Sequence, residues 1–401
     1  MPPAGCGRAD MGNTIPSGIS FELSDDERMM IDSVRHYCQT EIGAFVKAHG
    51  AENYIPTEKM RELLKGLTEF GFVGGPIAQE HGGLGLSWKT FGLLLEELCA
   101  VSLSIGITAF IQTMVATLCE KLLSPELRDK YLPQILSCDA IACMGISEPD
   151  VGSNVVEIKC KAKPVEGGYV LSGEKTWISN GDYADICICV ARTGDTPTAL
   201  DLFLVDRRES PFDSKNIHKM ALNATSTAQL FFADCKVPEQ HRLTQNGQGL
   251  RQVGGIFGVS RPLVGVFSVG LGRAALEAAV SYAQERKQHG KAIAGHQLIS
   301  GYLAEMATKI DASRLLILRA LDLLDRGVRC ESESAMAKWF ATELGVEITS
   351  QALQIHGGNG VTCEFPVERL FREARVCTIP EGTTEINKLI IGRGLTGISA
   401  F

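Results

Sequence analysis

The sequence predicts a multidomain α+β protein built in three consecutive parts: helices, then strands, then helices. Three observations predict it. The apolar period is helical over residues 21–135, shortens to alternation over 136–243, and returns to helical over 244–401. The 401 residues suffice for two or three domains. The order is not an alternating βαβ pattern, and no G-x-G-x-x-G follows an expected strand, so a Rossmann-type nicotinamide site is not expected.

Each part carries its own local signals. Ser24-Asp25-Asp26-Glu27 has the form of a capping box, in which the serine and the glutamate satisfy each other's free backbone N–H groups. Ser124-Pro125-Glu126 places a cap and an N1 proline before another helix, with Pro133 soon after. In the middle part, Gly167-Gly168 separates two alternating runs and predicts a hairpin. Residues 184–191, 200–205 and 230–237 are short runs rich in Val, Ile, Phe and Cys, bounded by Gly, Asp or Pro; strands so spaced suggest a small barrel or sandwich. In the last part Leu303, Met306, Ile310, Ile317, Leu321 and Leu324 share one helix face, and Met336, Phe340, Leu344, Ile348, Ala352 and Ile355 another. Long amphipathic helices joined by short turns predict a bundle with faces left for subunit contacts.

Composition narrows the function. A net charge of −8 argues against nucleic acid or an anionic membrane as main partner, while a few local cations can still bind an acidic ligand. No run approaches the ~18 apolar residues of a membrane span. The 13 cysteines are scattered, without a C-x-x-C pair or zinc-like spacing, so no metal is expected; Cys187 and Cys189 alternate within an apolar run and read as strand core. Residues 1–20, rich in Gly, Pro and Ser, read as a flexible tail. With Asp10 and a single Arg they match a mitochondrial presequence poorly, so a cytoplasmic, reducing location is expected over the mitochondrial matrix.

Four segments carry chemistry-bearing residues, and each has a bland and a functional reading. Residues 145–154, Gly-Ile-Ser-Glu-Pro-Asp-Val-Gly-Ser-Asn, are a helix-to-strand turn or a small-residue wall of a ligand site. Lys175-Thr-Trp-Ile-Ser-Asn-Gly181 is a hairpin end with a buried ring, or an aromatic plate for a planar cofactor. Arg286-Lys-Gln-His-Gly290, with Gln297 downstream, is a solvated helix terminus or a phosphate clamp built on an arginine fork. Gln354-Ile-His-Gly-Gly-Asn-Gly360 lets backbone approach a ligand, and Glu381 lies before the last helix. That glutamate either compensates the helix dipole or is a partly desolvated general base.

Taken together, in this order and spacing, these segments resemble the acyl-CoA dehydrogenase family over essentially the whole chain after residue 20. The resemblance implies an N-terminal helical domain, a central β-barrel and a C-terminal four-helix bundle. It implies FAD as cofactor, a homotetramer assembled as a dimer of dimers, and electron transfer to an electron-transfer flavoprotein. Met144, Ser147 and Ser153 would line the flavin and thioester site, Trp177 would pack on the flavin ring, and Ser179 would sit near its reactive nitrogen. Arg286 and Gln297 would hold the FAD diphosphate and adenosine across the subunit interface, and His289 stands where the family often stacks Phe on the adenine. Gln354, Gly357 and Gly358 match the loop over the same cofactor, and Thr383 and Glu385 match cofactor-contacting positions. Glu381 matches the catalytic base; the family's alternative base position is here Ser260, which carries no carboxylate. Phe110, Met114, Ser153, Ser260, Arg261, Pro380 and Gly382 fall around the acyl thioester.

Departures from the family pattern bear on the substrate. Pro380 stands for a common Tyr and Met144 for another aromatic, which argues against a typical straight-chain acyl group. The floor segment 101–119 carries no Arg, the residue that marks the glutaryl-CoA branch. Asn223 stands where many members have Arg. The implied activity is dehydrogenation of an acyl-CoA across its α and β carbons. Two alternatives are a carrier-protein version of the same reaction and a flavin-binding homologue associated with nucleic acid.

Overall fold

The computed structural model describes residues 23–399; the expected tail, 1–20, lies outside them. The capping box forms: Glu27 N–H donates to Ser24 Oγ at 3.1 Å and Ser24 N–H to Glu27 Oε2 at 2.9 Å. It opens α1 (Asp25–Tyr37), which continues through one π turn (Cys38–Ile42) into α2 (Gly43–His49). Next come α3 (Thr57–Thr68), α4 (Trp88–Val101), α5 (Leu103–Leu122) and α6 (Pro125–Leu136). Helix α6 starts at the expected Ser124 cap but runs through Pro133. Its end is held from outside: buried Gln112 on α5 donates to Ile135 O (2.8 Å) and Ala140 O (2.7 Å) and accepts from Ala142 N–H (2.8 Å). One side chain thus satisfies the last helical carbonyl region and pins the first strand beside it.

The middle part is a curled seven-stranded sheet of β1 (Ala142–Gly145), β2 (Lys161–Val165), β3 (Gly168–Ser179), β4 (Ile186–Arg192), β5 (Leu200–Asp206), β6 (Asp213–Asn216) and β7 (Thr227–Pro238). The strand order is β1-β4-β2-β3-β7-β6, with β5 along β4. The hairpin falls at Gly167-Gly168 as expected, with Gly167 at φ 79° and Val165 opposite Gly168. Strands β4 and β5 are buried almost throughout, so Cys187 and Cys189 are core together with their neighbours Ile186 and Ile188. Asn223 acquires a physical role: it accepts from Lys219 N–H (2.8 Å) and donates to Lys219 O (2.9 Å) and Glu52 Oε2 (3.3 Å). It shapes the loop after β6 and ties it to the N-terminal helices.

The last part holds α7 (Gly249–Glu285), a two-residue-strand hairpin of β8 (Lys287–Gln288) and β9 (Lys291–Ala292), α8 (Gln297–Asp325), α9 (Glu331–His356), α10 (Val367–Cys377) and α11 (Thr384–Thr396). Helix α9 is central and packs against α7, α8, α10 and α11. The expected face of α8 points inward, with Met306, Ile310, Ile317 and Leu321 buried. On α9 the expectation needs correction. Ile348, Ala352 and Ile355 are buried, but Met336, Phe340 and Leu344 are only half-buried, and the enclosed line is Ala337, Ala341 and Gly345. The reason is close helix approach: a Cβ on Gly345 would lie 2.9 Å from Ser268 Cβ of α7. Large residues are sterically refused on that line and turn aside.

Two helices also exceed the expected apolar length. Helices α5 and α7 are each long and apolar enough to cross a membrane by length and composition, although no such run was expected. Most of each apolar stretch is buried inside the protein, 78% for α5 and 67% for α7, which accounts for the composition without a lipid partner. All described cysteines are free, and among them only Cys363 is exposed.

Candidate active site

Three groups of the predicted residues come together, each held by different elements. The first surrounds Glu381. Helix α10 ends at Cys377, and α11 begins after its N-cap Thr383, whose hydroxyl accepts from Ile386 N–H at 3.4 Å. Glu381 precedes that cap, so it is not a first-turn acid; Glu385 occupies that place. Glu381 and Gly382 both take the left-handed conformation, at φ 56° and 87°. A glutamate rarely adopts it unaided, so the surroundings must hold it. Ser260 Oγ, buried on α7, donates to Glu381 Oε2 at 2.5 Å, and Arg261 Nε donates to Glu381 O at 3.2 Å. Burial pushes the Glu381 carboxyl above its ordinary value, against the Ser260 hydrogen bond and the charges of Arg261 and Lys338. Burial likewise lowers Arg261, whose guanidinium lies over the Phe257 ring at 5.6 Å. The Glu381 N–H donates to no group among the described residues. Pro380 beside it is exposed.

The second group lies on the sheet. Opposite β7, β3 pairs Lys175 with Leu230 and then Ile178 with Ala228, so an irregularity of register falls at Thr176-Trp177. Trp177, at φ 62°, is swung out and is 60% exposed, which rules out the buried-ring reading. Ser147 lies beside it: Ser147 Oγ donates to Thr176 O (2.6 Å) and Thr176 N–H to Ser147 O (2.9 Å). Met144 on β1 and Ser179 at the end of β3 are half-buried, and Ser153 is exposed on the loop between β1 and β2. Phe110 and Met114, on α5, are sealed in the core, with Phe110 edge-on to Phe267 of α7 at 5.1 Å.

The third group is at the end of α7. Arg286 is the C-cap, and His289, at φ 49°, turns the β8–β9 hairpin before the exposed Gln297 opens α8. Tyr282 of α7 stacks on His356 at 4.3 Å and accepts from Asn359 Nδ2 at 3.1 Å. The last turn of α9, which carries Gln354 and not a loop as expected, and the Gly357–Val361 segment after it are thereby fixed beside the end of α7. Gly357 stands at φ 58°, and a Cβ on either glycine would meet nothing within 4 Å, so this backbone faces open space.

The sequence reading missed Lys338 and Asn387. Lys338 is fully enclosed on α9 and donates to Thr378 O (2.7 Å) and Gly382 O (2.9 Å). Asn387 Nδ2 donates to Gly382 O (2.8 Å) and Thr383 O (3.0 Å). The available signal was a lysine inside the small-residue line Ala335, Ala337, Ala341, a position where a charge is costly to bury.

With this geometry in place, the kinship is definite. The chain matches, in order, the family profiles described as acyl-CoA dehydrogenase N-terminal domain (residues 24–139), middle domain (143–235) and C-terminal domain (247–396). It is 34% identical over 384 residues to an acyl-CoA dehydrogenase of Bacillus subtilis, covering 94% of this chain and 100% of the relative. The chain belongs to the acyl-CoA dehydrogenase family. It is therefore an enzyme of the class that oxidises a CH–CH bond. It is also 32% identical to the CarC subunit of the caffeyl-CoA reductase–Etf complex of Acetobacterium woodii, over 92% of this chain and 98% of CarC. Among solved structures it is similar to a glutaryl-CoA dehydrogenase from Mycobacterium smegmatis in complex with FADH2. That likeness has a TM-score of 0.88 at 27% identity, covering 94% of this chain and 96% of the other.

Proposed function

We propose that this enzyme removes the α and β hydrogens of an acyl-CoA thioester, with Glu381 as the base for the α proton. The observation that carries the reading is the Glu381 turn: a half-buried carboxylate with a raised proton affinity, aimed by Ser260, beside a backbone N–H left free. An α C–H is far too weakly acidic for a solvated carboxylate. Desolvation strengthens the base, and a free N–H beside it can receive the thioester oxygen as negative charge develops there. The donor and the base then belong to one residue, so the left-handed turn sets both.

The residues present fit FAD. Trp177 offers an exposed aromatic face, Met144, Ser147, Ser153 and Ser179 lie on the same sheet and its loop, and Gly357 and Gly358 present open backbone beside the C-cap Arg286. Arg286, His289, Gln297 and Gln354 would hold its phosphates and adenosine, with Thr383 and Glu385 at the start of α11 as further contacts. When bound, FAD supplies the acceptor for the β hydride. The exposed position of Arg286, Gln297 and Gln354 favours a cofactor site shared with a neighbouring subunit of a homotetramer. The kinship with an Etf-complex subunit favours an electron-transfer flavoprotein as electron acceptor. A cytoplasmic location is part of the same proposal. Ser260, Arg261, Pro380 and Gly382 border the acyl thioester. Phe110 and Met114 would meet an acyl chain only after core side chains shift.

The test is anaerobic mixing of the flavin-loaded protein with straight, branched, aromatic and dicarboxylyl CoA esters. Bleaching of the flavin band by one class is the expected result. A flavin that stays oxidised with every ester would overturn the CoA assignment and point to carrier-bound thioesters. Failure to bind FAD at all would overturn the whole reading.

Two further outcomes follow from the site. Since the base acts only when deprotonated and its proton affinity is raised, kcat/KM should climb with pH through a midpoint above the ordinary glutamate value of about 4.3. A flat acid limb down to pH ~4 would contradict the burial argument. Arg286→Ala should reduce FAD retained through gel filtration by roughly tenfold or more at equal protein, because a charge-assisted phosphate contact is lost. An unchanged ratio of flavin to protein absorbance would remove Arg286 from the cofactor site.

A further inference from the structure

The base of the proposed reaction stands on a turn whose two ends meet one buried ammonium. Lys338 Nζ donates to the carbonyl of Thr378, three residues before Glu381, and to that of Gly382, one residue after it, at 2.7 and 2.9 Å. Lys338 is 0% exposed, and among the described residues its ammonium donates to these two main-chain carbonyls and to no carboxylate. A buried lysine without an acid partner is costly, so its hydrogen bonds are the reason it is tolerated there. Both of those bonds close the same short segment. We propose that Lys338 is the positioning residue of the base: it ties the turn on either side of Glu381 and thereby holds the left-handed conformation that aims the carboxylate and the backbone N–H. This inference rests on the reading of Glu381 as base.

Three observations support it. The strain of the left-handed Glu381, which Gly382 follows in the same region without cost, falls between the two clamped carbonyls. Asn387 secures only the α11 side of the turn, at Gly382 and Thr383, so the link back to the end of α10 comes from Lys338. The charge also reaches the base, since Lys338 pulls the Glu381 carboxyl down, against burial. Burial lowers Lys338 itself to about 8. Cys377 on α10, Glu381 on the turn and Glu343 on α9 work against that shift, and Arg261 on α7 adds to it.

The decisive variants are Lys338→Gln, which keeps a donor without the charge, and Lys338→Arg, which keeps both. The first readout needs no turnover. The infrared difference between the enzyme and its Glu381→Gln counterpart isolates the protonated carboxyl band of Glu381 and gives its titration midpoint. In Lys338→Gln that midpoint should rise by about one pH unit, and in Lys338→Arg it should stay near wild type. The second readout is turnover: kcat should fall roughly tenfold or more in Lys338→Gln, with the Kd for acyl-CoA, read from the flavin spectrum, within about twofold. An unmoved Glu381 midpoint together with unchanged kcat overturns the proposal. So does a loss of kcat with an unmoved midpoint that Lys338→Arg does not rescue, because that is a generic packing defect. If Lys338→Gln fails to yield folded flavoprotein, Lys338→Arg alone decides: an altered midpoint despite retained charge refutes the clamp. Because the infrared titration is independent of catalysis, absence of flavin reduction in the wild type would defeat the dehydrogenase reading and leave this test standing.

Discussion

Glu381→Gln is expected to keep its FAD and its affinity for the thioester while turnover falls by roughly 10³-fold or more, within the range a positioned general base contributes together with its alignment. The amide is close to isosteric. It can still accept from Ser260 Oγ, which now stands 2.5 Å from Glu381 Oε2, and Arg261 can still reach the main-chain carbonyl. The left-handed turn and its free N–H therefore survive, and only the ability to take a proton is lost. Stopped-flow mixing under anaerobic conditions separates the two effects: an immediate spectral perturbation reports binding, and slow bleaching reports chemistry. A variant that bleaches at the wild-type rate would move the base elsewhere. Ser260, the other position at which the family carries the base, has no carboxylate to take over, so the prediction leaves no ready substitute.

How far the site was legible depends on how locally each residue acts. The capping box at Ser24 and Glu27, the hairpin at Gly167 and the cap at Ser124 were readable because each is closed by atoms within four residues. Glu381 was recognisable as a motif, but the sequence left open whether it served a helix dipole, since that depends on where α11 is capped. The cap at Thr383 settles it by two residues. The bulge that swings Trp177 outward is a pairing irregularity between β3 and β7, some fifty residues apart, and no local pattern announces it. Lys338 was missed for the same reason: its partners lie 40 and 44 positions away, beyond α10. On α9 the expected face was right over Ile348, Ala352 and Ile355 and wrong in the first half of the helix, because apolar bulk was taken as the guide where the packing against α7 required its absence. Long-range contacts and close helix approach are tertiary facts, and residue type carries only an indirect mark of them.

The largest stability effect is expected at Glu148, in the connection between β1 and β2. Its carboxylate accepts from Lys159 N–H at 2.7 Å, from Cys160 N–H at 2.9 Å and from Lys175 Nζ at 2.9 Å, and Lys175 is 0% exposed. Lys175 Nζ also donates to Ile146 O at 3.0 Å. Glu148→Ala strands two backbone donors and leaves a fully enclosed ammonium without its counter-charge, held only by Ile146 O. Breaking a buried pair in this way costs about 3–5 kcal/mol, far more than the pair contributes when both partners are present. The melting temperature of the variant should therefore drop by several degrees or more. Its FAD should also loosen, because the same turn carries Ser147, which is bonded to Thr176 next to the outward-swung Trp177. Removing the lysine as well, in Glu148→Ala with Lys175→Met, eliminates the stranded charge and should recover part of the lost melting temperature. Recovery of folding without recovery of FAD would show that the pair fixes the cofactor face of β3 rather than the core beneath it. A single variant that melts with the wild type would instead mean that water enters and solvates Lys175, and that the turn between β1 and β2 is held by Ser147 and the Glu148–Val151 main-chain bridge alone.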